Sequence, residues 1–125
     1  MKERKLRSVE LERTLNFFSD VLSDYKYNYD KVNEQEKLTQ DYLHDIELGG
    51  LHCKERSKVA TKLQENRKNR RYYKDVVEEL QPIIDFLNDN ANRGLVNKLK
   101  EVLGKVRKAE SYHSNRTYFP RVERK

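Results

Sequence analysis

VATKLQENRKNRRYYKDVVEELQPIIDFL, residues 59–87, is the stretch whose spacing decides the fold. Read at alternating steps of four and three it gives Val59, Leu63, Asn66, Arg70, Tyr73, Val77, Leu80, Ile84 and Leu87. The stretch before it, read the same way, gives Leu11, Leu15, Phe18, Leu22, Tyr25, Tyr29, Val32, Glu36, Thr39, Leu43 and Ile46. A period of 3.5 residues is that of helices packed knobs into holes along a narrow seam. Gly49-Gly50, the one double glycine in the chain, stands between the two stripes where a helix can end and the chain reverse. The expected fold is therefore all-α: a long antiparallel coiled-coil-like helical hairpin with a third C-terminal helix and a basic tail.

Laying the stripes antiparallel across the glycines sets Leu43 near Val59, Tyr29 near Tyr73, Leu22 near Leu80 and Phe18 near Ile84. The same alignment puts the polar interruptions opposite one another, Glu36 and Thr39 facing Asn66 and Arg70. An arbitrary register would set some of these against apolar residues and leave a charge unpaired, at a cost of roughly 3–5 kcal/mol. A hydrogen-bonded polar layer of Glu36, Asn66 and Arg70 is expected to fix the register.

The expected helices span about 8–48, 53–89 and 93–113, forming a single domain over 1–113 with a tail over 114–125. Ser8 is placed to cap the first helix, which at 1.5 Å per residue is about 60 Å long. His52 or Cys53 lies near the start of the second. Pro82 removes a backbone donor and crowds the carbonyl four residues earlier, so a kink or break is expected near Gln81. Asn88 to Asn92 reads as a turn. The third helix carries the stripe Leu95, Leu99, Val102, Val106 and Ala109 and is expected to fold back over Phe18, Ile84 and Leu87.

Hydrophobic residues make up 35% and charged residues 38% of the 125, a balance that permits structure only because the apolar positions recur so regularly. So narrow a seam implies modest stability and favours self-association, most simply as a homodimer. No run approaches the length needed to cross a bilayer, and the charged start is not a leader, so a soluble, non-exported protein is expected. The single Cys53 fits a reducing cytoplasm.

Residues 41–48, DYLHDIEL, followed across the glycines by Lys58 to Arg71, Lys74 and Asp75, resemble a pattern in small helical proteins of phages and prophages of Gram-positive bacteria. In these a Leu-His-x-Ile-Glu segment, here Leu43 to Glu47, ends one helix, and an Arg-Arg-x-x-Lys segment, here Arg70 to Lys74, lies in the next. The resemblance covers about residues 40–87. It implies a helical hairpin of phage or mobile-element origin and carries no activity with it. Leu51-His52-Cys53 departs from the pattern, which has Asn and small residues at that turn.

Charge is unevenly placed. Residues 94–125 hold nine Lys and Arg against three Asp and Glu, which leaves eighteen of each sign in residues 1–93. Arg67, Arg71 and Lys74 share one helical face and are candidates for partner binding or for tracking phosphates. The balanced charge of the hairpin favours a solvated face with acidic neighbours on the first helix. In the C-terminal segment Lys98, Lys105, Arg107, Lys108, Arg116, Arg121 and Arg124, with Tyr118 and Phe119 for stacking, suit either a nucleic acid or an acidic protein. The residues favoured for a protein partner are Arg116, Tyr118, Phe119 and Arg121, with Arg67, Arg71 and Lys74 as a second patch.

His44, His52, Cys53 and His113 lack the spacing of a zinc site, and His44 before the turn suits a helix C-terminus better. Asp75 and Glu78 lack a third carboxylate, and Cys53 lacks a base able to reach it. No phosphate loop is present. No enzyme, metal or cofactor is expected. The functional expectation is a non-enzymatic phage or prophage accessory protein of the host cytoplasm that binds a host or phage protein as inhibitor or adaptor. The alternative is a nucleic-acid-binding protein using the third helix and tail.

Overall fold

The computed structural model describes residues 5–115, and among these the regular structure is helical: α1 (Arg7–Leu48), α2 (Cys53–Asn88), a 3-10 turn (Asn90–Asn92) and α3 (Leu95–Asn115). The chain forms two compact units, one of Ser19–Asp89 and one of Met1–Phe18 with Asn90–Lys125.

The Ser19–Asp89 unit is an antiparallel helical hairpin. Tyr25 Oη donates to Gln81 Oε1 at 2.7 Å, Arg70 pairs with Glu36, and Thr39 Oγ1 donates to Asn66 Oδ1 at 2.6 Å. As α1 is followed forward, its partners move backward along α2. All nine stripe positions from Val59 to Leu87 are buried or half-buried, and Ile84 and Asn66 are the most enclosed.

On α1 the seam departs from a strict alternation of four and three. Val21 and Asn28 are buried, whereas Leu22 and Tyr29 are 47% and 51% exposed. The buried row therefore takes two successive steps of three, Leu15 to Phe18 to Val21, before alternation resumes, and this sets Val21 and Asn28 in the seam in place of Leu22 and Tyr29. Asn28 is tolerated inside because its Nδ2 donates to the Asp24 carbonyl at 2.7 Å. Tyr29 instead stacks on Tyr25, with ring centroids 6.0 Å apart. In consequence Tyr27, not Tyr29, is the α1 ring that meets Tyr73, at 6.5 Å.

The turn follows from its glycines. Gly49 N–H donates to the Asp45 carbonyl at 3.0 Å, closing the last helical bond. Gly50 then adopts φ +60°, the left-handed conformation that ends many helices. A Cβ at Gly49 would lie 2.6 Å from the Asp45 carbonyl oxygen, closer than any real contact. His52 is the N-cap of α2 in extended conformation without a side-chain capping bond. Pro82 lies inside α2, which runs unbroken from Cys53 to Asn88.

In the other unit the start of α1 lies against α3. Ser8 Oγ donates to Glu110 Oε2 at 2.7 Å, and Arg107 pairs with Glu12 at 3.1 Å. Ser8, Leu15 and Leu103 are buried, with Leu11, Phe18, Leu95, Leu99 and Val106 half-buried around them. The α3 stripe thus passes through Leu103 and Glu110. Val102 is 45% exposed and Ala109 is exposed.

Among the described residues no large side chain is fully enclosed, and the buried set holds as many polar members (Ser8, Asn28, Thr39, Asn66) as apolar ones (Leu15, Val21, Ile84, Leu103). Each buried apolar side chain contributes about 1.5–3 kcal/mol, so four give a thin core. No helix of the described residues is long and apolar enough to cross a membrane.

Candidate partner-binding surfaces

The polar residues of the seam form a connected layer. Asn66, 3% exposed, accepts from Thr39 Oγ1 at 2.6 Å, and its Nδ2 donates to the Gln35 carbonyl at 2.9 Å and to Gln35 Oε1 at 2.7 Å. Thr39 Oγ1 also lies 2.9 Å from the Gln35 carbonyl, so its one hydroxyl proton is shared between two acceptors. One turn further along α2, Arg70 Nε donates to Glu36 Oε1. Gln35 is a member of this layer that the stripe reading passes over, since it lies one position off the four-three alternation. Its signal is the same drift that buries Val21 and Asn28.

The basic residues of α2 stand beside this layer. An open hollow on α2 is lined by Gln64, Arg67, Lys68, Arg70 and Arg71. A second hollow shares Arg67 and crosses to α1 through Glu36, Thr39 and Gln40, with Leu43 and Leu63 as its floor. Arg71 lies 4.0 Å from Asp75, and Arg70 is taken up by Glu36. Among the described residues no carboxylate lies within ion-pair distance of Arg67, Lys68 or Lys74. Of the three expected partner-binding residues of α2, Arg67 and Arg71 are exposed and line the first hollow, and Lys74 is half-buried.

An aromatic edge lies elsewhere on the hairpin. Tyr73 meets Tyr72 at 5.5 Å and Tyr27 at 6.5 Å, both edge-on, and Lys31 Nζ lies 5.4 Å from the centre of the Tyr27 ring. Tyr72 is 65% exposed and Tyr27 57%. The hydrogen bond that Lys31 donates to Glu34, then the Glu34 charge, and then Tyr27 hold the Lys31 ammonium above the ordinary lysine range. Tyr72 and Tyr27 are legible in sequence only as tyrosine clusters, because their meeting depends on the register of the two helices.

On α3, Arg107 is engaged by Glu12, while Lys98, Lys105 and Lys108 are exposed. Arg116, Tyr118, Phe119, Arg121 and Arg124 lie outside the described residues. Cys53 is exposed and unbridged. No three His, Cys, Asp or Glu side chains converge to hold a metal ion among the described residues.

No family model, curated protein or solved structure matches this chain.

Proposed function

We propose that the protein works by gripping a protein partner and not by catalysis, as a cytoplasmic accessory protein of a phage or prophage that inhibits or adapts a host or phage protein. The observation that carries this reading is the aromatic edge of Tyr27, Tyr73 and Tyr72. Tyrosine supplies large rigid contact area with a polar tip and is enriched where protein surfaces meet. A monomer has no use for two such rings standing in water on so thin a core. The thin core also favours self-association, with a homodimer as the simplest assembly.

Capture from a host lysate tests the reading, using full-length protein, the double variant Tyr27→Ala/Tyr72→Ala and a form ending at residue 113. Loss of a specific protein with the double variant supports the aromatic edge, and loss with the shortened form assigns the grip to Arg116, Tyr118, Phe119 and Arg121. Recovery unchanged by either sinks the proposal.

A second reading, nucleic-acid binding by α3 and the tail, is favoured by the exposed Lys98, Lys105 and Lys108. A gel shift at low salt that weakens in the form ending at residue 113 and is lost when these three lysines are neutralised as well is its expected result.

A further inference from the structure

We infer that the α2 side carrying Arg67, Arg71 and Lys74 binds the sugar–phosphate backbone of a nucleic acid, on a surface separate from the aromatic edge, from α3 and from the tail. The overall neutrality of the hairpin hides this face, because its charges are sorted by side. The residues lining the two hollows include four cations, Arg67, Lys68, Arg70 and Arg71, against one carboxylate, Glu36, which Arg70 already engages. Lys74 extends the row by one turn, Asp75 lies 4.0 Å from Arg71, and Glu78 marks where the row ends.

The first helix supplies few acidic neighbours here. Gln40 lines the hollow that Arg67 shares, and one and two turns from it on that side of α1 stand Asn33, Glu36, Lys37, His44 and Glu47. Of these carboxylates Glu36 is engaged by Arg70, and Glu47 lies at the turn end of α1, away from the hollow. The other carboxylates of the same stretch, Asp30, Glu34, Asp41 and Asp45, keep to a neighbouring row at steps of four, seven and four.

The face suits phosphates better than an acidic protein. Protein hot spots set Trp, Tyr and Arg together in a well-packed, desolvated centre. Among the residues lining the two hollows only Leu43 and Leu63 are apolar, and both are half-buried in the seam. The exposed rings Tyr27 and Tyr72 belong to the other cluster. What remains is a row of cations on a rigid helix. From Arg67 to Lys74 it extends about 10 Å, the rise of roughly three nucleotides of a duplex strand. Such contacts position without reading bases, so the binding is independent of sequence.

The test measures fluorescence anisotropy of full-length protein with a labelled random duplex and a labelled single strand across a salt series. The triple variant Arg67→Gln/Arg71→Gln/Lys74→Gln is expected to bind roughly tenfold or more weakly and to lose about one unit of salt slope per replaced cation on duplex, and about 0.7 on a single strand. The charge-conserving Arg67→Lys/Arg71→Lys retains the slope, and circular dichroism at matched concentration separates lost contacts from lost fold. Neutralising Lys98, Lys105 and Lys108 leaves the slope largely in place. The inference is overturned if the α2 triple variant keeps the wild-type slope, if the α3 variant loses it instead, or if polyglutamate displaces the duplex as readily as unlabelled duplex does. The protein-capture experiment with Tyr27 and Tyr72 is unaffected by any of these results.

Discussion

Thr39 Oγ1 donates to Asn66 Oδ1 at 2.6 Å across the seam, at the most enclosed polar point of the hairpin. The bond joins a residue near the end of α1 to one near the start of α2, and it exists in one register only. Asn66→Ala removes the acceptor for Thr39 and the donor for Gln35. It is expected to lower unfolding stability by about 1–3 kcal/mol in urea titration, whereas Thr39→Val/Asn66→Leu together come closer to neutral, because both buried partners become apolar and the half-buried Gln35 side chain can turn to water. A double variant weaker than the single would contradict this account of the layer.

Arg70 and Glu36 make a different kind of contact. The Glu36 side chain is 40% exposed, against 19% for Arg70, so water screens the pair and recovers the carboxylate when its partner is lost. Arg70→Met is therefore expected to cost no more than about 1 kcal/mol, with a double-mutant cycle against Glu36→Gln giving a coupling of that size or smaller. A coupling of several kcal/mol would show the pair to be buried in solution and to share in fixing the register.

The glycine turn offers a local test. Gly50 stands in left-handed backbone and a Cβ at Gly49 collides with the Asp45 carbonyl. Gly50→Ala and Gly49→Ala are each expected to cost about 1–2 kcal/mol, read as a fall in melting temperature. Gly104→Ala, in the exposed interior of α3 where a methyl group meets nothing within 4 Å, is expected to stabilise by up to about 1 kcal/mol.

Lys31 links stability to alkaline pH. Its folded pKa lies above the ordinary 10.5, chiefly through the hydrogen bond it donates to Glu34 at 3.0 Å. A raised pKa contributes stability that is complete below 10.5 and disappears as pH rises through the folded value. Observed by NMR at the side-chain nitrogen, Glu34→Gln should bring the Lys31 midpoint down toward the ordinary value. An unchanged midpoint would remove Glu34 as the cause.

Ser8 and Glu110 hold the start of α1 against α3. Glu110 Oε2 accepts from Ser8, while Oε1 is buried with no hydrogen-bond partner among the described residues. Ser8→Ala takes away the one donor and is expected to destabilise by about 1–3 kcal/mol. Ser8→Thr, which keeps the hydroxyl, should recover most of the loss.

The α2 seam could be read from sequence because Leu63 and Leu80 stand between polar neighbours, and where two apolar residues adjoin, at Val76-Val77 and Ile83-Ile84, both members are buried or half-buried. The middle of α1 could not, for a physical reason. Val21 and Leu22 are both apolar, so hydropathy does not choose between them. At the next turn a buried Asn28 beats a half-wet Tyr29 because the asparagine satisfies itself on its own helix. The same happens on α3, where Glu110 enters the seam through its bond to Ser8 and Val102 is left outside. Hydropathy sees neither bond. The cations of α2 were visible one by one, but which of them an acidic side chain engages was not. It depends on which row of α1 the register brings alongside, and composition averaged over the hairpin cancels it.

The backbone at Gly50 has one more consequence. With φ at +60° it is held where a mirror-image amino acid is at ease and its natural counterpart is strained. D-alanine introduced there by chemical ligation would restrict the unfolded chain without distorting the folded one, so the same methyl group that weakens the hairpin in one handedness should strengthen it in the other.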